Sequence, residues 1–440
     1  MITIFFDLET SDLNPIGQIL NYAFVEVDEN FNIKSSLRDK IKICPMQLPM
    51  PEAILSNKID VLEHQKDATD TEVLAMLKIH NYIENLSEYE PVRLIGYNSN
   101  SFDIHYLRTS FIRNGLNPYF GGQLSYGDML HVVNKLAVSN DQFLSILKKK
   151  ENGKPSMSLE NVCKSLSIIA QDSLQEHESM ADVLLTIELA KKIKEQYDID
   201  IRTYSAYEVS KRYTDFDAIE VYPHFDEFGN KVPQEDCIYT IHEHNKSTAL
   251  WINLKKFKGG LGKKSISWHN KNTSPLFIKR YIKDSDLRKE CDLARDALSD
   301  VTIENFWPEK NCDVEQSIYT LPIHEIKTLN QAIHNRDLYL LKENKNRYSN
   351  ILYLRYLCNN AQSSDVDQIS HKYITYRYGG KMRLDKNEID SAEKLYHPTY
   401  KELLERVNNY CVNGDKLMHN LKQFYVTSKI AKVCESELLT

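Results

Sequence analysis

The chain opens on an apolar run, Ile2-Thr3-Ile4-Phe5-Phe6, which ends at two carboxylates set two residues apart, Asp7 and Glu9. The run reads as a buried strand, and residues i and i+2 leave a strand from the same face. Like-sign carboxylates held side by side at the end of such a strand repel one another and lose hydration. The pair is therefore costly unless a cation lies between them. Two more acidic residues stand where a fold can bring them to the same place. Asp103 follows Phe102 at a strand-to-helix junction, and Asp182 lies near the start of a helical apolar stripe, with His177 five residues before it.

The rest of the chain is predicted to be a mixed sheet flanked by helices, followed by a β-rich and then a helical region. Residues 18–28 alternate as a hairpin partner for the first strand, and 40–44 read as a third strand closed by Pro45. Helical spacing covers 71–86, a short strand covers 94–97, and a helix runs from about Asp103 to Arg113 with Gly115 ending it. Residues 158–168 and a stretch beginning near Ser179 carry further apolar helical stripes. Beyond Ile201 short β-like runs appear at 218–221, 237–241 and 249–254, with a helical insertion near 284–299. From about Leu338 the pattern turns helical again, notably over 400–411 and 417–431. With 440 residues, two or three domains are expected, divided near 200 and 345.

Composition narrows the setting. No run of about 18 apolar residues is present, so no membrane span is expected. The amino terminus lacks the basic flank and cleavage site of a secretion signal. Eight cysteines are scattered without a C-x-x-C pair, as expected for reduced, buried thiols in a cytoplasmic protein. The net charge of −7 is uneven: residues 1–200 carry 19 Lys and Arg against 29 Asp and Glu, and the remainder 36 against 33. An acidic first part and a more basic second part are compatible with a metal site and with phosphate contacts.

Taken singly, the chemical pieces are ordinary. D-x-E is a common strand end, Asp103 could cap a helix, and a loop histidine is usually a surface imidazole. In this order and at this spacing they say more. Four carboxylates can hold two divalent metals, and an imidazole beside them can take a proton from water, which is the equipment of a phosphodiester hydrolase.

The set resembles the DEDDh group of 3′→5′ exonucleases, which have a ribonuclease H-like fold. Leu94-Ile95-Gly96-Tyr97-Asn98, Phe102-Asp103, Arg113-Asn114, Pro155-Ser156 leading into Leu159-Glu160, and Ser179-Met180-Ala181-Asp182-Val183 are similar to the bacterial exonuclease I family in particular. The likeness is strong over residues 1–200 and returns in patches at 340–344 and at Tyr376-Arg377-Tyr378. It implies an α/β exonuclease domain at 1–200, an SH3-like β-rich domain at 201–345 and a helical domain at 346–440. It also implies Asp7, Glu9 and Asp182 on one Mg²⁺, with Asp7 bridging to a second near Asp103, Mn²⁺ being able to substitute. Two such ions about 4 Å apart clamp the attacking and leaving oxygens of an in-line displacement.

By the same resemblance His177 is the general base, and Glu9, Thr10, Asn98, Ser158 and Arg377 are candidate substrate contacts. The implied reaction is degradation of single-stranded DNA from its 3′ end to nucleoside 5′-monophosphates, in DNA repair or recombination. The implied partners are single-stranded DNA and the acidic tail of single-stranded-DNA-binding protein, and a monomer is expected. An exoribonuclease or a proofreading exonuclease would use the same five residues. A non-catalytic strand-binding or recruiting module would need none of them.

This chain departs from that family pattern in four places. Ser11 replaces an aromatic residue after D-x-E-T, Met157-Ser158 replaces Phe-Arg, the loop before His177 is longer, and the carboxy-terminal part is shorter. For grip on a single strand, Lys255–Lys264 and Tyr376–Arg383 combine cations with aromatic residues. Lys148-Lys149-Lys150 reads as an exposed hairpin or loop.

Overall fold

The computed structural model describes residues 1–204 apart from 16 and 171–177, most of 216–299, short stretches within 371–379, and 398–437 apart from 412–413. The chain divides into two compact units. One gathers Met1–Ser125, Glu176–Leu184 and Asn311–Thr440; the other gathers Tyr126–Gln175 and Leu185–Lys310.

The first unit is built on a mixed sheet. Strand β1 (Ile2–Thr10) pairs antiparallel with β2 (Ile19–Val27), which pairs antiparallel with β3 (Ile33–Lys40). Helices α1 (Pro51–Asn57), α2 (Val61–Asp67) and α3 (Glu72–Ser87) follow, then β4 (Val92–Gly96), which lies parallel to β1. After α4 (Asp103–Arg113) comes β5 (Leu124–Asp128), giving the sheet order β3-β2-β1-β4-β5. All nine residues of β2 are buried, so this strand is covered on both faces.

The third strand lies earlier than its expected place at 40–44. Residues 33–40 read Ile-Lys-Ser-Ser-Leu-Arg-Asp-Lys, a half-exposed strand at the sheet edge whose charges hide the alternation. Charged edge strands are how sheets avoid pairing with other chains. Two short helices had no expectation. α1 starts on Pro51, whose missing N–H costs nothing in a first turn. α2 is capped by Asp60, which accepts from Leu62 N and Glu63 N at 3.1 and 3.3 Å.

Near the carboxy terminus the same unit contains three more helices, Tyr400–Cys411, Lys416–Thr427 and Lys429–Glu437. Their apolar faces share one core with residues 43–61: Ile43, Leu48, Ile54 and Val61 pack in a cluster with Leu403, Val407, Leu421 and Ile430.

The second unit opens with α5 (Met129–Ser139), α6 (Asp141–Ile146) and α7 (Leu159–Ser165), and α8 (Ser179–Tyr197) runs into it from the first unit. It continues with β6 (Ala218–Val221), β7 (Ile238–Glu243), β8 (Thr248–Asn253), the single turn α9 (Leu254–Phe257), β9 (Ile266–Asn270) and β10 (Ile278–Ile282). These strands form an antiparallel sheet in the order β10-β6-β7-β8-β9. The three expected β runs are its middle strands; β9 and β10, rich in polar and charged residues, gave no apolar run to read. Helix α10 (Ser285–Ser299) lays Cys291, Ala294 and Leu298 on Leu250, Ile252 and Ile266. The Lys148–Lys150 stretch is exposed and closes a hairpin, Lys150 N donating to Lys154 O at 2.8 Å, as expected. Among the described residues no helix is long and apolar enough to cross a membrane.

One glycine controls the turn that leads to Asp103. A Cβ on Gly96 would sit 2.5 Å from Ser99 Cβ and 3.1 Å from Phe6 O. Gly96→Ala is expected to destabilise the chain by about 1–3 kcal/mol, seen as a lowered melting temperature by circular dichroism. An unchanged melting temperature would show that the turn gives way freely.

Candidate active site

Asp7 and Glu9 leave β1 on one face, between buried Phe6, Leu8 and Thr10, and both keep part of their surface accessible. Across the sheet Glu9 stands opposite Asn21 on β2. Asn21 Oδ1 accepts from Ser179 N at 3.4 Å, so the first turn of α8 is tied to the middle of the sheet. Three residues further on, Asp182 reaches the β1 carboxylates. Carboxylate oxygens of Asp7, Glu9 and Asp182 all lie within 4.8 Å of one another.

Asp103 adds its charge to the acidic set. It is not an N-cap: it is the first residue of α4, 4% exposed, and Phe102 occupies the cap position without a side-chain bond. A carboxylate in a first helical turn is favoured by the helix dipole. Asn98 prepares this approach by turning the chain at φ 63°, a left-handed conformation that asparagine tolerates.

Every influence on the two β1 carboxyls points the same way. Burial pushes Asp7 well above the usual carboxylate range, and the charges of Asp103, Glu9 and Asp182 push it further. Burial, then Asp182 and Asp103, raises Glu9 to about 8. Clustered carboxylates without a counter-ion cannot all ionise at neutral pH. With a divalent cation among them the logic inverts. Hard oxygen donors at this spacing suit Mg²⁺ or Mn²⁺, so the donor set fits the metal that the sequence motifs imply.

The turn after Glu9 is held from inside. Thr10 is buried and its hydroxyl donates to Asp12 O at 2.8 Å, so that group is engaged within the protein instead of facing a ligand. Ser11 is fully buried; its Oγ accepts from Gln18 N at 2.8 Å, and it closes the β1–β2 turn where the family pattern has an aromatic residue. Tyr106 Oη also donates to Asp12 O. Arg113 pairs with Glu72 and donates to Gly17 O at 2.9 Å. Asp12 and Tyr106 were not singled out from the sequence: an acid one turn past D-x-E looks like any surface carboxylate.

The other expected contacts fall differently. Arg377 is 1% exposed, and its guanidinium acts on the buried Asp12. It is an interior residue, not a cation on a groove wall. Ser158 is exposed in the second unit, where it accepts from Asn161 Nδ2 at 2.9 Å. His177, Tyr376 and Lys381–Arg383 lie outside the described residues.

A mixed sheet flanked by helices carries Asp7 and Glu9 at the end of its central strand, with Asp182 from α8 and Asp103 from α4 beside them. Residues 4–190 match the exonuclease family of the RNase T type. Exodeoxyribonuclease I of Haemophilus influenzae is 28% identical over 197 residues, a match spanning 43% of this chain and 40% of that relative. The Escherichia coli exodeoxyribonuclease I is 27% identical over 198 residues, again spanning 43% of this chain and 39% of the relative. The chain thus spans about two fifths of the length of the curated relatives it matches. Solved structures share the fold over nearly the whole chain. E. coli exonuclease I in complex with a dT13 oligonucleotide superimposes with a TM-score of 0.66 at 16% identity, covering 98% of this chain and 99% of that one. An ExoI/SSB-Ct complex superimposes at 0.62 and 17% identity with the same coverage. The motif-level resemblance to exonuclease I therefore holds, and the fold is exonuclease I-like.

The raised carboxyls predict a pH-dependent stability in the absence of metal. A group held above its ordinary value stabilises the fold below that value, and the contribution is lost as pH rises through the folded-state value. For Glu9 the window runs from 4.5 to about 8. In EDTA the melting temperature is expected to fall as pH is raised across that window, and Asp7→Asn to flatten the fall. Mg²⁺ or Mn²⁺ should raise the melting temperature more at pH 8 than at pH 6. Indifference to metal at pH 8 would contradict the site.

Proposed function

We propose that this protein is a divalent-metal-dependent 3′→5′ exonuclease that removes nucleoside 5′-monophosphates from single-stranded DNA. The observation that carries the reading is the convergence of Asp7, Glu9 and Asp182 within 4.8 Å, with Asp103 close enough to raise Asp7. In this reading Asp7, Glu9 and Asp182 hold one Mg²⁺, and Asp7 with Asp103 holds a second. Bound there, the ions would supply charge stabilisation to the oxygens of an in-line phosphoryl displacement.

The protein's own groups do the rest. His177 takes the proton of the attacking water, a role open to an imidazole. A new P–O bond forms from that water and the bond to the 3′-oxygen of the preceding nucleotide breaks, which frees one nucleoside 5′-monophosphate. In this reading Asn98, at its left-handed turn, and the backbone around Glu9 and Thr10 orient the terminal nucleotide. Buried Ser11 and Arg377 are left out of that grip, so contacts to the strand are expected to differ from those of the related enzymes.

Beyond the exonuclease domain at 1–200, we read 201–345 as an SH3-like domain and 346–440 as a helical one. The antiparallel sheet β6–β10 supports the middle domain; the three carboxy-terminal helices give the last part its helical character while sharing a core with residues 43–61. Single-stranded DNA and the carboxy-terminal tail of a single-stranded-DNA-binding protein are the proposed partners, by likeness to the solved complexes.

The test is to offer 3′-labelled single-stranded DNA, duplex DNA and RNA side by side, with Mg²⁺ and with EDTA. Mononucleotide release from single-stranded DNA, in Mg²⁺ alone, is the expected result, and a 3′-blocked strand should resist. Asp7→Asn and Asp182→Asn should each lower release by about 10³-fold or more, the scale of a lost metal contribution. Preference for RNA would overturn the substrate assignment. Equal release by Asp7→Asn would overturn the enzyme itself.

A further inference from the structure

The turn that follows the metal-site strand is held by side chains from the far end of the chain. Leu48 N donates to Tyr378 Oη at 2.8 Å, and Tyr425 Oη donates to Pro49 O. The segment so held reaches back to β1: Met50 N donates to Ser11 O at 2.7 Å, and Asn57 Nδ2 donates to Thr10 O at 2.9 Å. Arg377, next to Tyr378, is more direct. Its guanidinium and the carboxylate of Asp12 are both almost fully buried, three residues beyond Glu9. Burial pushes Asp12 up to about 6, against the pull of Arg377 and the N–H groups of Asn14 and Leu13.

Opposite charges buried near one another contribute little stability over well-packed apolar groups of the same volume. Their best-attested use is to specify one arrangement of chain segments. Here the segments are the carboxy-terminal region and the end of β1. Arg377 reaches no solvent that a phosphate could occupy, so its placement fits a role inside the protein. We propose that Arg377 is a positioning residue for the carboxylate centre: through Asp12 it fixes the turn after β1 and so the reach of Glu9 toward Asp7 and Asp182. This rests on the proposed metal-dependent reading of the site.

The test uses the full chain and the variants Arg377→Met, Arg377→Lys and Asp12→Asn. Val407→Ala, in the apolar core of the same carboxy-terminal helices, serves as a control for general loosening. Mn²⁺ affinity is measured by calorimetry, kcat and KM on a single-stranded oligonucleotide, and melting temperature for each. Arg377→Met and Asp12→Asn are expected to lower Mn²⁺ affinity and kcat about tenfold, the scale of lost support behind a metal ligand. KM should stay within about twofold, and Arg377→Lys should recover part of the loss. Val407→Ala should lower the melting temperature while leaving Mn²⁺ affinity and kcat as in the wild type.

A rise in KM with kcat and Mn²⁺ affinity unchanged would make Arg377 a substrate contact and overturn the proposal. Equal losses in Val407→Ala, or no loss in Arg377→Met and Asp12→Asn, would overturn it too. If Arg377→Met does not fold, Asp12→Asn, which keeps the side chain's size, decides by the same readouts. If the wild type releases no nucleotide the exonuclease reading falls, and the Mn²⁺ affinities still decide this proposal.

Discussion

The mutual repulsion of carboxylates at the end of β1 is the constraint on which the rest of this structure depends. A strand that buries Phe6, Leu8 and Thr10 necessarily presents Asp7 and Glu9 together on its alternate positions. The fold adds to their repulsion instead of relieving it, bringing Asp182 over from α8 and Asp103 to the start of α4. A cation bound among such carboxylates would relieve their repulsion. A neutral pair on β1 would be easier to fold.

Holding four carboxyl groups in register needs a stiff surround, and the structure supplies one on several sides. The β1–β2 turn is closed by Ser11 and Gln18, fastened by Tyr106, and backed by Arg113 with Glu72. The segment 48–57 ties that turn to Tyr378 and Tyr425 of the carboxy-terminal region. The carboxy-terminal helices and residues 43–61 share a core, so the family-matching part of the sequence does not bury its apolar surface alone.

How much of this was legible in the sequence depends on range. D-x-E on an apolar run is a local pattern of period two, and its geometry follows from strand pleating. Asp103 and Asp182 were legible by order and context, because short motifs around them repeat a known arrangement. Helices α3, α4 and α10 and strands β6 to β8 followed from apolar periodicity. Helices α1, α2, α5 and α6 were not read, and the strands that escaped were masked by charge. The edge strand β3 and strands β9 and β10 carry too many polar residues to alternate cleanly. Asp12 and Arg377 lie far apart in sequence and are both buried, and nothing near either residue announces the other. Arg377 looked like a phosphate contact because cations between tyrosines commonly are; only its burial beside an acid shows otherwise.

The most direct test of the account is crystallographic: crystals soaked in Mn²⁺ at pH 8, with anomalous difference density measured at the carboxylate cluster. The account predicts a peak bounded by oxygens of Asp7, Glu9 and Asp182, with a second beside Asp103 when a 3′-terminal nucleotide is bound. An empty cluster at saturating Mn²⁺, with its carboxyls hydrogen-bonded to one another, would contradict it.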